Sequence, residues 1–439
     1  MDGGSALDRF FGIAARGSSV GTEVKGGVIV FLAMSYIIAV NTGMMRDAGM
    51  DPDSAFTATV IMAVIGSLVM GLYARFPAAM APGMGINAMF CYTAVVTMGF
   101  TWQEALLGVV LSGILFFALT VSGVRKAVMD RIPYGVKCGM IAGIGCFIAF
   151  IGLQNAGIVV DSASTLVTLG DMSDPSVLLS VFCIAVTVFL AARGSSMGIL
   201  VGMLATAVVG MAAGIIPLPD SVLATPSAPA AGAFLDGIGD GIMSFEFLMV
   251  VISLAFVEFF DGSGTLLALG QRANLTDSEG NVDFGRAINV DAGVASLSGA
   301  VGCTPATAFA ESAVGIEAGA RTGLMSVTVA LLFALALFIA PVFQVFDYSC
   351  TVGAMIVVGA TMASELKGTE WNDLPTAMTV VSMILMMVLT YSITNGIAFG
   401  VILYCVAMAG AGRAREVSPA LYALAVVFLV YFVAYAISF

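Results

Sequence analysis

Ala81-Pro-Gly-Met-Gly-Ile-Asn-Ala-Met-Phe90 and Cys303-Thr-Pro-Ala-Thr-Ala-Phe-Ala-Glu-Ser-Ala-Val-Gly315 decide how this chain is read. Each interrupts an otherwise apolar helical pattern with a proline and small residues. Each then presents a polar side chain, Asn87 in the first and Glu311 in the second. Unpaired backbone groups are costly in hydrocarbon, so broken helices survive only inside protein or beside a water-filled cavity. A matched pair of interrupted segments, one per half of the chain, points to a transporter's binding site near the membrane midplane.

The surroundings of these segments are apolar throughout. The 439 residues are 60% hydrophobic and only 10% charged, and the mean hydropathy is +1.06. A soluble protein carries roughly a quarter charged residues, so the composition predicts a polytopic protein of the lipid bilayer. Residues 1–25 carry Asp8, Arg9, Arg16 and Lys25 without a short apolar stretch before a small-residue cleavage site. They read as a cytoplasmic N-terminus with no cleaved signal. The seven cysteines lie in or beside apolar runs without metal-ligand spacing and read as packing residues. The net charge of −12 reflects acidic loops and argues against a nucleic-acid partner. There is no histidine, so any proton relay must use carboxylates.

Runs long enough to cross about 30 Å of hydrocarbon fall near 27–44, 55–74, 80–98, 103–123, 136–155, 177–192 and 196–216. In the second half they fall near 247–270, 287–301, 306–320, 323–345, 351–364, 375–392 and 395–411. A polar, proline-rich stretch at 218–246 separates seven spans from seven, and a last run, 420–439, either crosses or lies in the interface. With the N-terminus cytoplasmic, Arg46 alone of the 16 basic residues lies outside, where acids such as Asp161, Asp171 and Asp347 collect. An odd number of spans per half turns the second half upside down relative to the first, which predicts a 7+7 inverted repeat. The third and tenth spans, the two broken ones, become equivalent.

The eighth span holds the densest charge, in Glu258-Phe-Phe-Asp261-Gly-Ser-Gly-Thr265. At helical spacing Glu258, Asp261 and Thr265 share one face. A carboxylate at this depth marks a substrate or ion pathway. Glu311 follows the break in the tenth span. Asn87 in the third offers an acceptor and two donors, and Gly83 and Gly85 leave adjacent amides open to close approach. Phe309, like Phe90 and Phe256, is able to stack on a flat ring. Asn41 reads as a helix-terminus or packing residue, and Glu317 with Arg321 as a helix-surface pair four residues apart. No P-loop, dinucleotide fingerprint, metal cluster or nucleophile triad appears. This argues against an ATP-driven pump and most membrane enzymes, and no cofactor is expected.

At Phe31–Asn41, Ala81–Phe90, Phe256–Thr265, Ala310–Leu324 and Leu389–Gly400 the chain resembles the nucleobase–cation symporters of the xanthine/uracil permease superfamily. The likeness is to the azaguanine/adenine/hypoxanthine/guanine branch. It implies an all-α membrane protein with fourteen helices, and short antiparallel strands in the third and tenth spans. It also implies a core domain (26–124 and 247–346), a gate domain (125–217 and 347–412), an extracellular linker (218–246) and a C-terminal hydrophobic segment (413–439). Carried onto this sequence, the substrate-binding residues are Asn87, Asp261 and Glu311, with Gly85, Phe309 and Thr265 beside them. The coupling residues are Glu311, Asp261 and Glu258. The sequence departs from the branch at Gly262, at Cys303-Thr304-Pro305 and at Thr42.

The expectation is therefore a multi-pass protein of the cell membrane, weakly implied to be a homodimer, that imports a purine nucleobase together with a proton. Sodium is the alternative ion. A second class is an anion carrier on the same fold, like the sulfate and bicarbonate relatives. That reading wants a cation in the pocket, and no Lys or Arg falls at midplane. A third is a membrane receptor or scaffold without transport.

Overall fold

The computed structural model describes residues 6–122, 133–195, 197–219, 221–239, 244–275 and 285–438. Among them, eight helices are long and apolar enough to cross a membrane. They are Val20–Asp47, Pro52–Ala74, Trp102–Val121, Tyr134–Asn155, Pro175–Ala192, Gly323–Gln344, Tyr348–Gly368 and Ile393–Gly410. Shorter apolar helices cover Gly198–Ala212 and Leu374–Leu389, and Phe245–Arg272 forms one continuous helix that carries the eighth-span acids. Helix starts follow local chemistry. Asp51 and Asp174 accept N–H bonds from Ser54 and Ser176 at 2.9 and 2.8 Å, each with proline at the first helical position. An Asp cap satisfies an orphan amide, and proline has none to lose there.

The first membrane helix begins at Val20, not near residue 27, so 20–25 do not belong to a free N-terminus. Glu23 within it is fully buried and accepts the backbone N–H groups of Arg321 (2.7 Å) and Thr322 (3.2 Å). Those amides replace the water that the carboxylate gives up. At the same end Arg16 Nη1 donates to the carbonyls of Arg75 (3.0 Å) and Arg321 (3.1 Å), gathering three basic residues from distant parts of the chain.

The two halves interleave. Trp102–Val121 packs on Gly285–Val301 and Phe245–Arg272, and Gly323–Ala336 packs on Val20–Met34 and Pro52–Val69. Separately, Tyr134–Asn155 packs on Tyr348–Ala363 and Leu374–Leu389, and Pro175–Ala192 on Tyr348–Ala363 and Gly198–Ala212. The expected boundary at 124/125 lies outside the described residues. The stretch between the halves is docked: Gly232 N–H donates to Ala300 O (2.9 Å) and Ala224 N–H to Phe338 O (3.0 Å).

One further feature differs from the sequence reading, and one that the reading left open takes a definite form. An exposed antiparallel hairpin, β2 (Val159–Ser162) with β3 (Leu166–Leu169), joins two membrane helices where only a loop was expected. The last run is the helix Pro419–Ser438. Cys405 Sγ meets Leu421 O (3.8 Å) at one end, and Tyr431 Oη donates to Asn395 Oδ1 (3.2 Å) toward the other. It therefore runs antiparallel along Ile393–Gly410 and spans the same depth.

Candidate functional site

The third and tenth spans are not continuous helices. β1 (Met80–Pro82) and β4 (Ala306–Ala308) pair antiparallel, with Ala81 opposite Thr307. The ladder extends through Gly83 N–H to Pro305 O (3.0 Å) and Phe309 N–H to Ala79 O (2.9 Å). A two-stranded ribbon leaves outer edges that lipid cannot hydrate, and neighbouring side chains satisfy them. Ser67 Oγ accepts Met80 N–H (2.9 Å) and donates to Met80 O (3.1 Å). Ser298 Oγ accepts Ala306 N–H (3.0 Å), Ser312 Oγ accepts Ala79 N–H (2.9 Å), and Asp291 Oδ1 accepts Ala308 N–H (3.1 Å) and the Thr307 hydroxyl (3.0 Å).

Past the strands the chain turns into the short helices Met84–Ala88 and Ser312–Glu317, which place Asn87 and Glu311 at the two ends of the crossing. Asn87 is fully buried. Its Nδ2 makes one long bond to Pro82 O (3.4 Å), and its Oδ1 has no partner among the described residues. Glu311 is half-buried, and its Oε1 accepts the Tyr36 hydroxyl at 2.6 Å.

The helix Phe245–Arg272 brings Asp261 against this crossing. A Cβ placed on Gly83 would stand 3.2 Å from Asp261 Oδ2 and 2.8 Å from Thr307 Cγ2, so only a glycine lets acid and strand approach this closely. Gly262 makes the same room for the Asp291 carboxylate. Asp261 thus sits within electrostatic reach of both Asp291 and Glu311. With Gly85, Met140, Ile141, Ile144, Val257 and Met362 it lines a cavity of about 10 Å³, room for a single water. Little free space is therefore left beside Asp261, whose side chain is itself only half-buried.

The structure thus brings together Asp261, Glu311, Gly85, Phe309 and the segment carrying Asn87. It turns one other expected residue away from them. Glu258, almost fully buried, faces Trp102–Val121, where Ser112 Oγ donates to its Oε1 (3.2 Å). Thr265 lies one turn beyond Asp261 on the same helix. The expected Glu317–Arg321 pair is not formed, because the helix ends at Glu317, which instead meets Arg272 at 2.9 Å in an exposed bridge. Asn41 packs, but in the middle of the helix Tyr36–Asp47, not at a helix end: its Nδ2 donates to Thr59 (2.8 Å), and its Oδ1 accepts a long bond from Thr304 beside the break (3.4 Å).

Sequence reasoning missed Asp291 and Tyr36. The signal for Asp291 was an acid in the middle of an apolar run; Tyr36 gave none. Chemically the site is rich in acceptors. It suits a ligand that presents N–H groups, and its carboxylates are groups that can take up and release protons.

A larger cavity of about 280 Å³ lies elsewhere, lined by Ile38, Thr42, Arg46, Tyr92, Phe343 and Tyr348 among others. None of the expected site residues lines it.

The Permease family model matches residues 21–399. The chain is 39% identical to the guanine/hypoxanthine permease PbuG of Bacillus subtilis over 97% of this chain and 99% of that protein. It is 36% identical to the adenine permease AdeP of Escherichia coli, over 97% and 96%. The transmembrane domain of the cyanobacterial bicarbonate transporter BicA superposes with a TM-score of 0.60 at 16% identity, covering 88% of this chain and 96% of that one. At that identity the likeness concerns the fold alone. Matched over nearly its whole length, the chain belongs to the Permease family, as its motifs in the third and tenth spans imply.

Proposed function

We propose that the protein imports a purine nucleobase by proton symport, with Asp261, Glu311 and Asn87 around the base. The observation that carries this reading is the crossing itself. Two broken spans pair as strands, and two carboxylates and an enclosed carboxamide lie around the pair. The names of the similar permeases, guanine/hypoxanthine and adenine, support the substrate class. A neutral flat base needs hydrogen-bond partners more than a counter-ion, and Asn87 Oδ1 is a buried acceptor awaiting a donor. Taking a carboxylate out of water favours its neutral form in general. An acid at such a site accordingly loads a proton with the base on one side and releases it on the other.

In this reading residues 26–124 and 247–346 move as a core against a gate of 125–217 and 347–412. The N-terminus lies on the cytoplasmic face of the cell membrane. An anion carrier would want a cation at the site, and no Lys or Arg lines the Asp261 cavity.

The test is uptake of labelled adenine, guanine and hypoxanthine in a permease-deficient cell, with and without an uncoupler and with sodium replaced. Accumulation should collapse with the uncoupler and survive sodium removal. Glu311→Gln should abolish concentrative uptake while the protein still reaches the membrane. Full accumulation by that variant refutes the coupling role of Glu311.

A further inference from the structure

Along the helix Tyr134–Asn155 three levels succeed one another. Ile144 lines the Asp261 cavity. Phe147 and Phe150, about one to two turns on, contact the Tyr391 ring at centroid distances of 5.3 and 6.3 Å. Asn155, at the helix end, donates to the Tyr92 hydroxyl at 2.9 Å. Tyr92 closes the cluster from the third span: its ring meets Tyr391 edge-on at 5.8 Å, and its hydroxyl donates to Asp47 Oδ2 at 2.8 Å. Asp47 is the hub of this end. It also accepts the Tyr348 hydroxyl, while Arg46 lies over the Tyr348 ring at 4.9 Å. Two more bonds cross the same seam, Thr97 Oγ1 to Tyr391 O (3.1 Å) and Ile393 N–H to Thr93 Oγ1 (3.1 Å).

The contacts of Asp47, Tyr92, Thr93 and Thr97 to Asn155, Tyr348, Tyr391 and Ile393 join residues 47–97 to the other packed group, within which Phe147 and Phe150 pack on Tyr391. We propose that this cluster is a gate that shuts the Asp261 site from the end of the molecule bearing the β2–β3 hairpin. Tyr92, Tyr391, Phe147 and Phe150 form its plug, and Asp47 with Tyr348 and Asn155 its latch. Two further observations support it. The cavity of about 280 Å³ has both Tyr92 and Tyr348 among its walls, whereas only about 10 Å³ remains at Asp261. Tyr391 holds its backbone in the left-handed region at φ +54°, where a helix end ordinarily places glycine. A bulky residue kept at such a position indicates that the ring contacts there outweigh the strain.

The proposal rests on the transport reading above, but its test needs no substrate. Ile144→Cys is placed as a reporter, and Ser164→Cys in the exposed hairpin defines the side from which a membrane-impermeant thiol reagent is added. The unsubstituted chain supplies the background from native cysteines. Ile144→Cys should react slowly from the hairpin side. Adding Tyr92→Phe, which keeps the ring and removes two hydrogen bonds, should raise that rate by about 3- to 10-fold; Asn155→Ala, a second route to the same loss, should raise it too. Reaction from the opposite side should fall in parallel. An unchanged rate in both variants, or a parent that already reacts as fast as they do, overturns the gate. If the purine screen identifies a different cargo, the labelling result stands by itself.

Discussion

Replacing Tyr36 with phenylalanine isolates a single interaction at the crossing. The ring is almost fully buried, and Phe fills the same volume, so packing is preserved. What disappears is the 2.6 Å donation to Glu311 Oε1. A short hydrogen bond to an ionised acceptor contributes about 1.5–3 kcal/mol. Without it the Glu311 side chain is free to leave the orientation that the proposed reading requires for binding a base. If the whole loss appears in substrate affinity, the apparent affinity falls about 10- to 150-fold, at a factor of ten per ~1.4 kcal/mol. The assay is initial-rate uptake of labelled hypoxanthine and adenine, with KM and maximal rate normalised to protein in the membrane. Kinetics within about twofold of the parent, alongside lowered thermal stability in detergent, would assign the bond to the fold and refute its role in holding Glu311 for a base.

Asp291→Ala strands the Ala308 amide at the ribbon edge and should cost about 1–3 kcal/mol of stability, whereas Asp291→Asn retains an acceptor and should cost less; thermal unfolding in detergent separates the two. Gly262→Ala drives a methyl into the Asp291 carboxylate, and should lower both folded yield and uptake, which fluorescence-detected size-exclusion chromatography and transport assays will read. Under the symport reading, uptake should rise as the outside medium is acidified from neutral, while an uncoupler flattens the dependence; a profile indifferent to outside pH at fixed membrane potential counts against proton coupling.

Much of the arrangement was legible because a polar residue in an apolar run cannot hide. Pro82 and Pro305 announced the breaks, and Asn87, Asp261 and Glu311 stood out for the cost of placing them at depth. Residues whose partners come from distant segments were harder to read. Glu23, which lies in the stretch read as a cytoplasmic N-terminus, is fully buried because Arg321 and Thr322 offer it their amides. Nothing in the sequence singles out Asp47, and only the approach of Tyr92 and Tyr348 makes it a hub. The Glu317–Arg321 spacing misled for a local reason: an i,i+4 pair needs a helix that continues, and this one stops at Glu317. The face shared by Glu258 and Asp261 is real in angular terms. A residual 60° between them is still enough to turn one toward Ser112 and the other toward the cavity.

The three-residue ribbon constrains how the molecule can cycle. Prising β1 from β4 would expose several N–H and C=O groups to a medium without water, each at a cost comparable to a lost hydrogen bond in hydrocarbon. The two halves of the chain are therefore riveted together at the crossing, and under the proposed transport reading they travel as a single carriage. Whatever slides must slide elsewhere, along surfaces where side chains alone meet.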